Sequence, residues 1–291
     1  MSSFPLVSSV PSVSSFPWAA LLTNLWATAL VTAAVMLASW TVGVFVRGGR
    51  HDGVDVVWGL GFAIVAVTTL LLSAGDGDTW RRVLVTALTT VWGLRLGGHI
   101  YLRNRGHDED PRYVELLSHA TGSPALYALR KVYLVQGLVL WLVSLPVQLA
   151  QYGRGDTLLG GSDVAAWVGV ALWLVGFLFE AIGDAQLSRF KADPTSRGQV
   201  MDRGLWRYTR HPNYFGDACV WCGLGMLALH HPPGLLGLPS VAIMVFFLVK
   251  GTGAKLLEST IGDRRPGYAD YIARTSGFVP LPPKTVREDR G

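Results

Sequence analysis

The densest run of residues with chemical potential is Gly204-Leu205-Trp206-Arg207-Tyr208-Thr209-Arg210-His211-Pro212-Asn213-Tyr214-Phe215-Gly216-Asp217. Pro212 suits the first turn of a helix, where a missing N–H costs nothing, with Thr209 or His211 at the cap. A helix start offers unpaired N–H groups and the positive end of the dipole, which favour an anion such as phosphate. Arg207 and Arg210 just before it can grip phosphate or carboxylate in bidentate fashion. Trp206, Tyr208 and Tyr214 offer flat surfaces for a base or ring. Asn213 and Asp217 lie one turn apart and share a helix face. The bland alternative is an interfacial belt of Arg and aromatic residues.

Other polar groups belong with this run. Glu180 and Asp184 are one turn apart near the end of an apolar block, with Gln186 close by. Two carboxylates so spaced repel each other and require donors, from Lys191, Arg197 or a ligand. Arg95 sits inside an apolar block and must face a polar interior. Asn104, Arg105, Asp110, Arg112 and Tyr113 follow it. Glu258, Arg264, Arg265, Tyr268 and Tyr271 form a further group, and Asp55 stands beside Trp58 at the start of another block. A lone Asp there is more often a cap or a partner for the helix dipole. No His or Cys group has metal-ligand spacing, and Cys219 and Cys222 read as small packing residues.

These groups must be positioned by elements bathed in lipid. The 291 residues are 50% hydrophobic and only 15% charged, with mean hydropathy +0.35. The apolar residues gather in blocks near the ~20 residues that cross a bilayer. The blocks are Trp18–Val46, Val54–Ala74, Trp80–Leu102, Val132–Ala150, Val164–Leu187, Tyr214–Leu229 and Pro239–Leu257. They predict an all-α integral membrane protein of seven transmembrane helices. The first block lacks the basic flank of a cleavable signal and is read as a span.

Loop charge sets the expected orientation. Arg47, Arg50, Arg103, Arg105, Arg112, Arg130, Lys131, Arg189, Lys191, Arg197, Arg203, Arg207 and Arg210 fall on one side, and Arg81, Arg82 and Arg154 on the other. The positive-inside bias predicts N-out and C-in, with the polar face and its cofactor pocket opening to the cytosol. The net charge of +5 and pI near 9.4 are explained by the same bias, so no nucleic-acid partner is expected. The expected organisation is a flexible segment over 1–17, one membrane domain over 18–283, whose Pro-rich stretch Gly277–Pro283 packs back on it, and a tail over 284–291. High Ala, Val, Gly, Leu and Arg content fits a high-GC bacterial source, hence a plasma membrane; a eukaryotic homologue would sit in the endoplasmic reticulum.

The ordered motifs Gly176-Phe177, Glu180, Asp184, Phe190-Lys191, Gly204-Leu205-Trp206 and Arg210-His211-Pro212-Asn213-Tyr214-Phe215-Gly216 resemble the steroid 5α-reductase C-terminal-domain superfamily. The match is to its bacterial and eukaryotic branch long labelled a domain of unknown function. The resemblance runs from Asp55 through Leu94-Arg95, Asn104-Arg105-Gly106, Asp110 and Tyr113 to Tyr268, Tyr271 and Phe278-Val279-Pro280. It implies a reductase that takes NADPH from the cytosolic side. Hydride would pass to a carbon–carbon double bond of a hydrophobic, steroid-like or other lipid substrate from the bilayer. By position it implies a cofactor pocket of Arg95, Asn104, Arg105, Asp184, Arg210, Asn213, Tyr214 and Asp217, with Lys191, Tyr208, His211, Tyr268 and Tyr271, and catalytic roles for Asp55, Trp92 and Glu180. Steroid reductases carry a Tyr where this chain has Trp92, facing a Glu for which Asp55 is a rough match. An Arg-His-Pro-x-Tyr string is shared with isoprenylcysteine and phospholipid methyltransferases, which use S-adenosylmethionine. A methyltransferase and a non-catalytic lipid-binding homologue are therefore the alternatives.

Overall fold

The computed structural model describes residues 16–154, 163–251 and 266–284. The sequence candidates Glu258, Arg264 and Arg265 lie outside them. Among the described residues the secondary structure is helical, with isolated bridges at Gly77–Gly153 and Thr209–Ser276 and no strand. The chain divides into two compact units: the first holds residues 1–166 and 227–240, the second 167–226 and 241–291.

In the first unit, α1 (Trp18–Thr41) runs on through a π turn to Val46, followed by α2 (Gly53–Leu72) and α3 (Thr79–Asn104). A short helix α4 (Pro111–Ser118) precedes α5 (Pro124–Val143), which carries a π turn at Leu129–Tyr133, and α6 (Leu145–Leu149). The buried side of α1 is Leu21, Asn24, Thr28, Thr32 and Met36, one stripe at helical spacing, whereas Trp26 and Leu30 are exposed. Polar side chains face inward because lipid gives apolar groups no reason to hide while hydrogen bonds still need partners. Asn24 Nδ2 and Thr28 Oγ1 both donate to Gln148 Oε1, at 3.0 and 2.8 Å, and Gln148 Nε2 donates to Ser144 Oγ at 2.8 Å. Between α2 and α3 the backbones almost touch. A Cβ on Gly59 would come within 2.5 Å of the Gly93 carbonyl oxygen, so only glycine fits there.

In the second unit the long helix α7 (Val164–Ala192) packs antiparallel to α8 (Pro212–Ala228). Gly169 and Gly176 on α7 meet Gly223 and Gly216 on α8: a Cβ on either α8 glycine would stand 2.5 Å from the facing carbonyl oxygen. The seven-residue interval on both helices keeps the glycines on one seam, as in small-residue packing of membrane helices. Cys219 lies on the same seam, 2.8 Å from where a Gly176 Cβ would be, in agreement with a packing role. The 3₁₀ turn at Pro232–Gly237 belongs to the first unit; α9 (Leu238–Phe246) continues as a π turn to Gly251, and α10 (Tyr268–Arg274) is the last described helix.

Among the described residues, six helical segments are long and apolar enough to cross a membrane: Trp18–Val46, Gly53–Leu72, Thr79–Asn104, Pro124–Val143, Val164–Ala192 and Pro232–Val249. The block expected at Tyr214–Leu229 is α8, which at 17 residues falls short of them. The fourth crossing also differs from the expected Val132–Ala150. It starts at Pro124, where Ser123 Oγ accepts the Leu126 N–H at 3.4 Å, and ends before Ser144 and Pro146. Proline supplies no N–H and breaks the ladder there. The end of the last expected block, to Leu257, lies outside the described residues.

Candidate functional site

The second unit holds most of the polar run. α8 begins at Pro212, and the Phe215 N–H donates to the His211 carbonyl at 3.0 Å, which puts His211 at the cap position. Thr209 Oγ1 accepts the His211 N–H at 3.3 Å. The absence of a side chain at Gly183 lets Pro212 and Asn213 close on α7, where a Cβ would meet both at 3.2–3.3 Å. That closeness brings Asn213 Nδ2 to Asp184 Oδ1, at 3.1 Å. One donor to this carboxylate pair, accepted by Asp184, is thus an amide from α8. Lys191, one of the expected donors, has an exposed side chain. Glu180 and Asp184 are both buried, as is Asp217, one turn along α8 from Asn213. The His211 and Tyr214 rings stack at 5.5 Å with an interplanar angle of 8°, and Asn213 Oδ1 accepts the Tyr214 N–H at 3.1 Å.

The stretch before α8 is clamped from both sides. Trp206 is buried and donates Nε1–H to the Gly183 carbonyl at 3.0 Å, while Gln186 Oε1 accepts the Leu205 N–H at 3.0 Å. From the other side the chain after α10 lies along residues 208–210. The Arg210 N–H donates to the Ser276 carbonyl at 2.9 Å, Thr209 Oγ1 to the Phe278 carbonyl at 2.8 Å, and the Leu281 N–H to the Tyr208 carbonyl at 2.9 Å. The Tyr271 hydroxyl donates to the Trp206 carbonyl at 2.6 Å. Burial, with Tyr268 beside it, pushes that phenol's pKa up and keeps it a donor. Arg210 Nη1 donates to the carbonyls of Ile272 and Thr275, at 3.2 and 2.8 Å, near the end of α10. Arg210 therefore holds the C-terminal segment as well as standing next to the cap of α8. Tyr208 is exposed.

Beside this cluster lies a pocket of about 330 Å³ lined by Gln186, Arg189, Phe190, Asp193, Met201 and Arg203. Sequence reading left Arg189 and Arg203 among the loop cations and Phe190 as a motif letter. The signal available was the adjacent Arg189 and Phe190 at the helix end, with Arg203 in the loop that follows.

The first unit positions a different set. Asp55, in the first turn of α2, accepts the Tyr113 hydroxyl on Oδ1 at 2.6 Å and Arg112 Nη2 on Oδ2 at 2.8 Å. Gln136 Nε2 donates to the Tyr113 oxygen at 3.2 Å, and Asp110 binds Arg112 through Oδ1 and Oδ2 at 3.0 and 2.9 Å. Burial acts to raise the Asp110 carboxyl, but the Arg112 hydrogen bonds and charge outweigh it and hold the pKa below the usual carboxylate range. Burial and the Asp55 charge raise the Tyr113 phenol, which remains protonated. Glu109 supports the same end by accepting the N–H groups of His51 and Asp52 at 2.7 and 2.8 Å. Trp92 is fully buried, edge-on to Phe62 at 5.6 Å, in the α2–α3 layer. Arg95 is half-buried, Asn104 accepts from Arg103 Nε at 3.2 Å, and Arg105 is exposed at the end of α3. Sequence reading missed the Asp55–Tyr113 pair, which no local spacing announces.

A polytopic helical membrane protein with a buried carboxylate–amide cluster at a helix start is the class that this fold and site define. Within that class the chain belongs to the DUF1295 family, described as protein of unknown function, whose model matches residues 39–275. It is 24% identical to an uncharacterized protein of Schizosaccharomyces pombe over 264 residues, covering 83% of this chain and 75% of the yeast protein. Over 65 residues it is 32% identical to the bovine 3-oxo-5-alpha-steroid 4-dehydrogenase 1, covering 22% of this chain and 25% of the bovine protein. No solved structure matches it.

Proposed function

We propose that this chain is a seven-span, N-out/C-in membrane reductase that uses NADPH to reduce a carbon–carbon double bond of a hydrophobic, steroid-like or other lipid substrate. The observation that carries it is the Asp184–Asn213 hydrogen bond at the start of α8, beside Arg210 and the His211–Tyr214 stack. Local similarity to the bovine steroid dehydrogenase supports the reaction class.

The residues present fit a dinucleotide. Arg189 and Arg203 line the pocket at the α7 end, with Phe190 offering an aromatic face, a donor set suited to phosphates and a base. Its ~330 Å³ suits one end of a dinucleotide, given the 300–1,000 Å³ usual for small-molecule sites. Bound NADPH would supply hydride. Asn213 and Asp184 would orient amide and hydroxyl groups, Tyr208, Tyr214 and His211 would pack ring faces, and Asp217 and Glu180 would stay buried behind them. Tyr268, Tyr271 and Arg210 would hold the closing segment and exclude water. For Lys191, Arg95, Asn104 and Arg105 as cofactor ligands, and for Asp55, Trp92 and Glu180 as catalytic groups, the proposal rests on the family resemblance. Trp92 has no acidic proton to give, so Asp55 would act through the Tyr113 hydroxyl that it binds.

The test is a titration of the purified full chain with NADPH and, separately, with S-adenosylmethionine. NADPH should raise the melting temperature and S-adenosylmethionine should not, and Arg210→Ala should abolish the response. A response to S-adenosylmethionine alone would make the chain a methyltransferase, and a response to neither would leave a lipid-binding protein.

A further inference from the structure

A groove of about 680 Å³ runs between α1 and α5, its walls including Trp26, Thr32, Met36, Leu129, Gly137 and Trp141. The two helices are tied beyond each end of it. Trp40 Nε1 donates to the Ala125 carbonyl at 2.9 Å at one end, and Trp141 Nε1 to the Leu25 carbonyl and Thr28 Oγ1, at 3.2 and 3.1 Å, at the other. Between the ties Gly137 is part of the wall, and its missing side chain lets Met36 pack close. A Cβ there would meet Met36 Cγ at 3.1 Å.

Two polar features break the symmetry of this apolar trough. Thr32 lines it and is 5% exposed, yet its Oγ1 is buried without a hydrogen-bond partner among the described residues. A buried hydroxyl without a partner is costly, and a turn about χ1, which exchanges it with the methyl facing Gly137, would offer it to an acceptor in the groove. At the Leu129 end, next in sequence, stand the exposed cations Arg130 and Lys131. Along α1, Thr32 is five residues from Leu37 at that end and ten from Leu22 at the other, roughly 7 and 15 Å at 1.5 Å per residue.

We infer that this groove binds one anionic phospholipid, its headgroup on Arg130 and Lys131, a glycerol ester oxygen on the Thr32 hydroxyl, and an acyl chain laid toward Leu22. The spacing is that of such a lipid: a phosphate at the rim, an ester one short step down, and hydrocarbon beyond. Basic groups at a membrane interface favour anionic headgroups over zwitterionic ones. The inference stands on the first unit alone and does not depend on the reductase reading.

The experiment uses the delipidated full chain with phosphatidylglycerol or phosphatidylcholine of the same palmitoyl and oleoyl chains, followed by native mass spectrometry and thermal unfolding. One phosphatidylglycerol should be retained in severalfold preference and should raise the melting temperature more than phosphatidylcholine does. Gly137→Leu, which fills the trough, should remove retention of both lipids. Arg130→Gln with Lys131→Gln should retain both lipids equally, and Thr32→Val should weaken both severalfold. Equal retention by the unmodified chain would overturn the inference, as would a preference that survives the double substitution or release of the lipid by an equimolar sterol. Should Gly137→Leu fail to fold, the double substitution at the exposed rim decides.

Discussion

Asn213 on α8 gives its side-chain amide to the Asp184 carboxylate on α7 at 3.1 Å, across a seam where glycines bring the two backbones together. One short contact thus joins the two runs of polar residues that stood out along the chain. Asn213→Leu leaves a buried carboxylate without that donor, at a cost of about 1–3 kcal/mol. The expected result is a lowered melting temperature and at least tenfold weaker NADPH binding by titration. Asp184→Asn, which keeps hydrogen-bonding capacity but not charge, should fold nearly as well while still losing cofactor affinity. Unchanged affinity in both variants would remove this pair from the site.

The glycine seam predicts a separate loss. Gly216→Val must push apart backbones whose facing carbonyl oxygen lies 2.5 Å from the new Cβ. Overpacking of this kind costs about 1–3 kcal/mol or more. Little folded protein should be recovered after detergent extraction, whereas Gly98→Ala, at a position with open space, should be neutral.

Arg210→Lys keeps the charge but replaces a planar fork with a point cation. The ammonium cannot reproduce the guanidinium's geometry toward the Ile272 and Thr275 carbonyls. The C-terminal segment should then be cleaved faster in limited proteolysis and NADPH binding should weaken together with it. If proteolysis is unchanged, the guanidinium does not hold that segment.

His230 gives a pH prediction. It is buried, with Nε2 3.0 Å from the Tyr152 carbonyl, so that nitrogen carries the proton. Burial first, then the charge of Arg81, pushes its pKa down to about 3 from the ordinary 6.5. The folded state holds the neutral ring while the unfolded chain takes a proton below pH 6.5. Stability contributed by this residue is therefore full above 6.5 and falls as pH drops from there toward 3. His230→Gln should flatten the acid side of the melting-temperature profile between pH 6.5 and 5, and His119→Gln, at an exposed position, should not.

Much of the helical plan was legible because lipid imposes long uninterrupted apolar runs, as over Trp18–Val46, which holds as one segment. The fourth crossing was misplaced because Arg130 and Lys131 interrupt its hydropathy, although Ser123-Pro124 is a readable helix start. The Arg210–Pro212 run was visible as chemistry. That Arg210 would bind carbonyls of the C-terminal segment was not, since the partners lie more than sixty residues away and contribute only backbone. Asp55 was read as a lone acid because its side-chain partners also lie far along the chain. Its partners Arg112 and Tyr113 sit on a short polar helix that lies outside the long apolar blocks.

The inward-facing amide and hydroxyl stripe of α1 also bears on biogenesis. The helix leaves the ribosome before its acceptor, Gln148, has been synthesised, so during translation the Asn24 amide lacks that acceptor and Thr28 has only the Asn24 and Leu25 carbonyls of its own helix. Such a segment inserts on the strength of its outer side and stays adhesive along its inner one until the chain catches up. Insertion factors that shelter polar helix faces are the natural custodians of that interval, and Gln148→Leu would prolong it indefinitely.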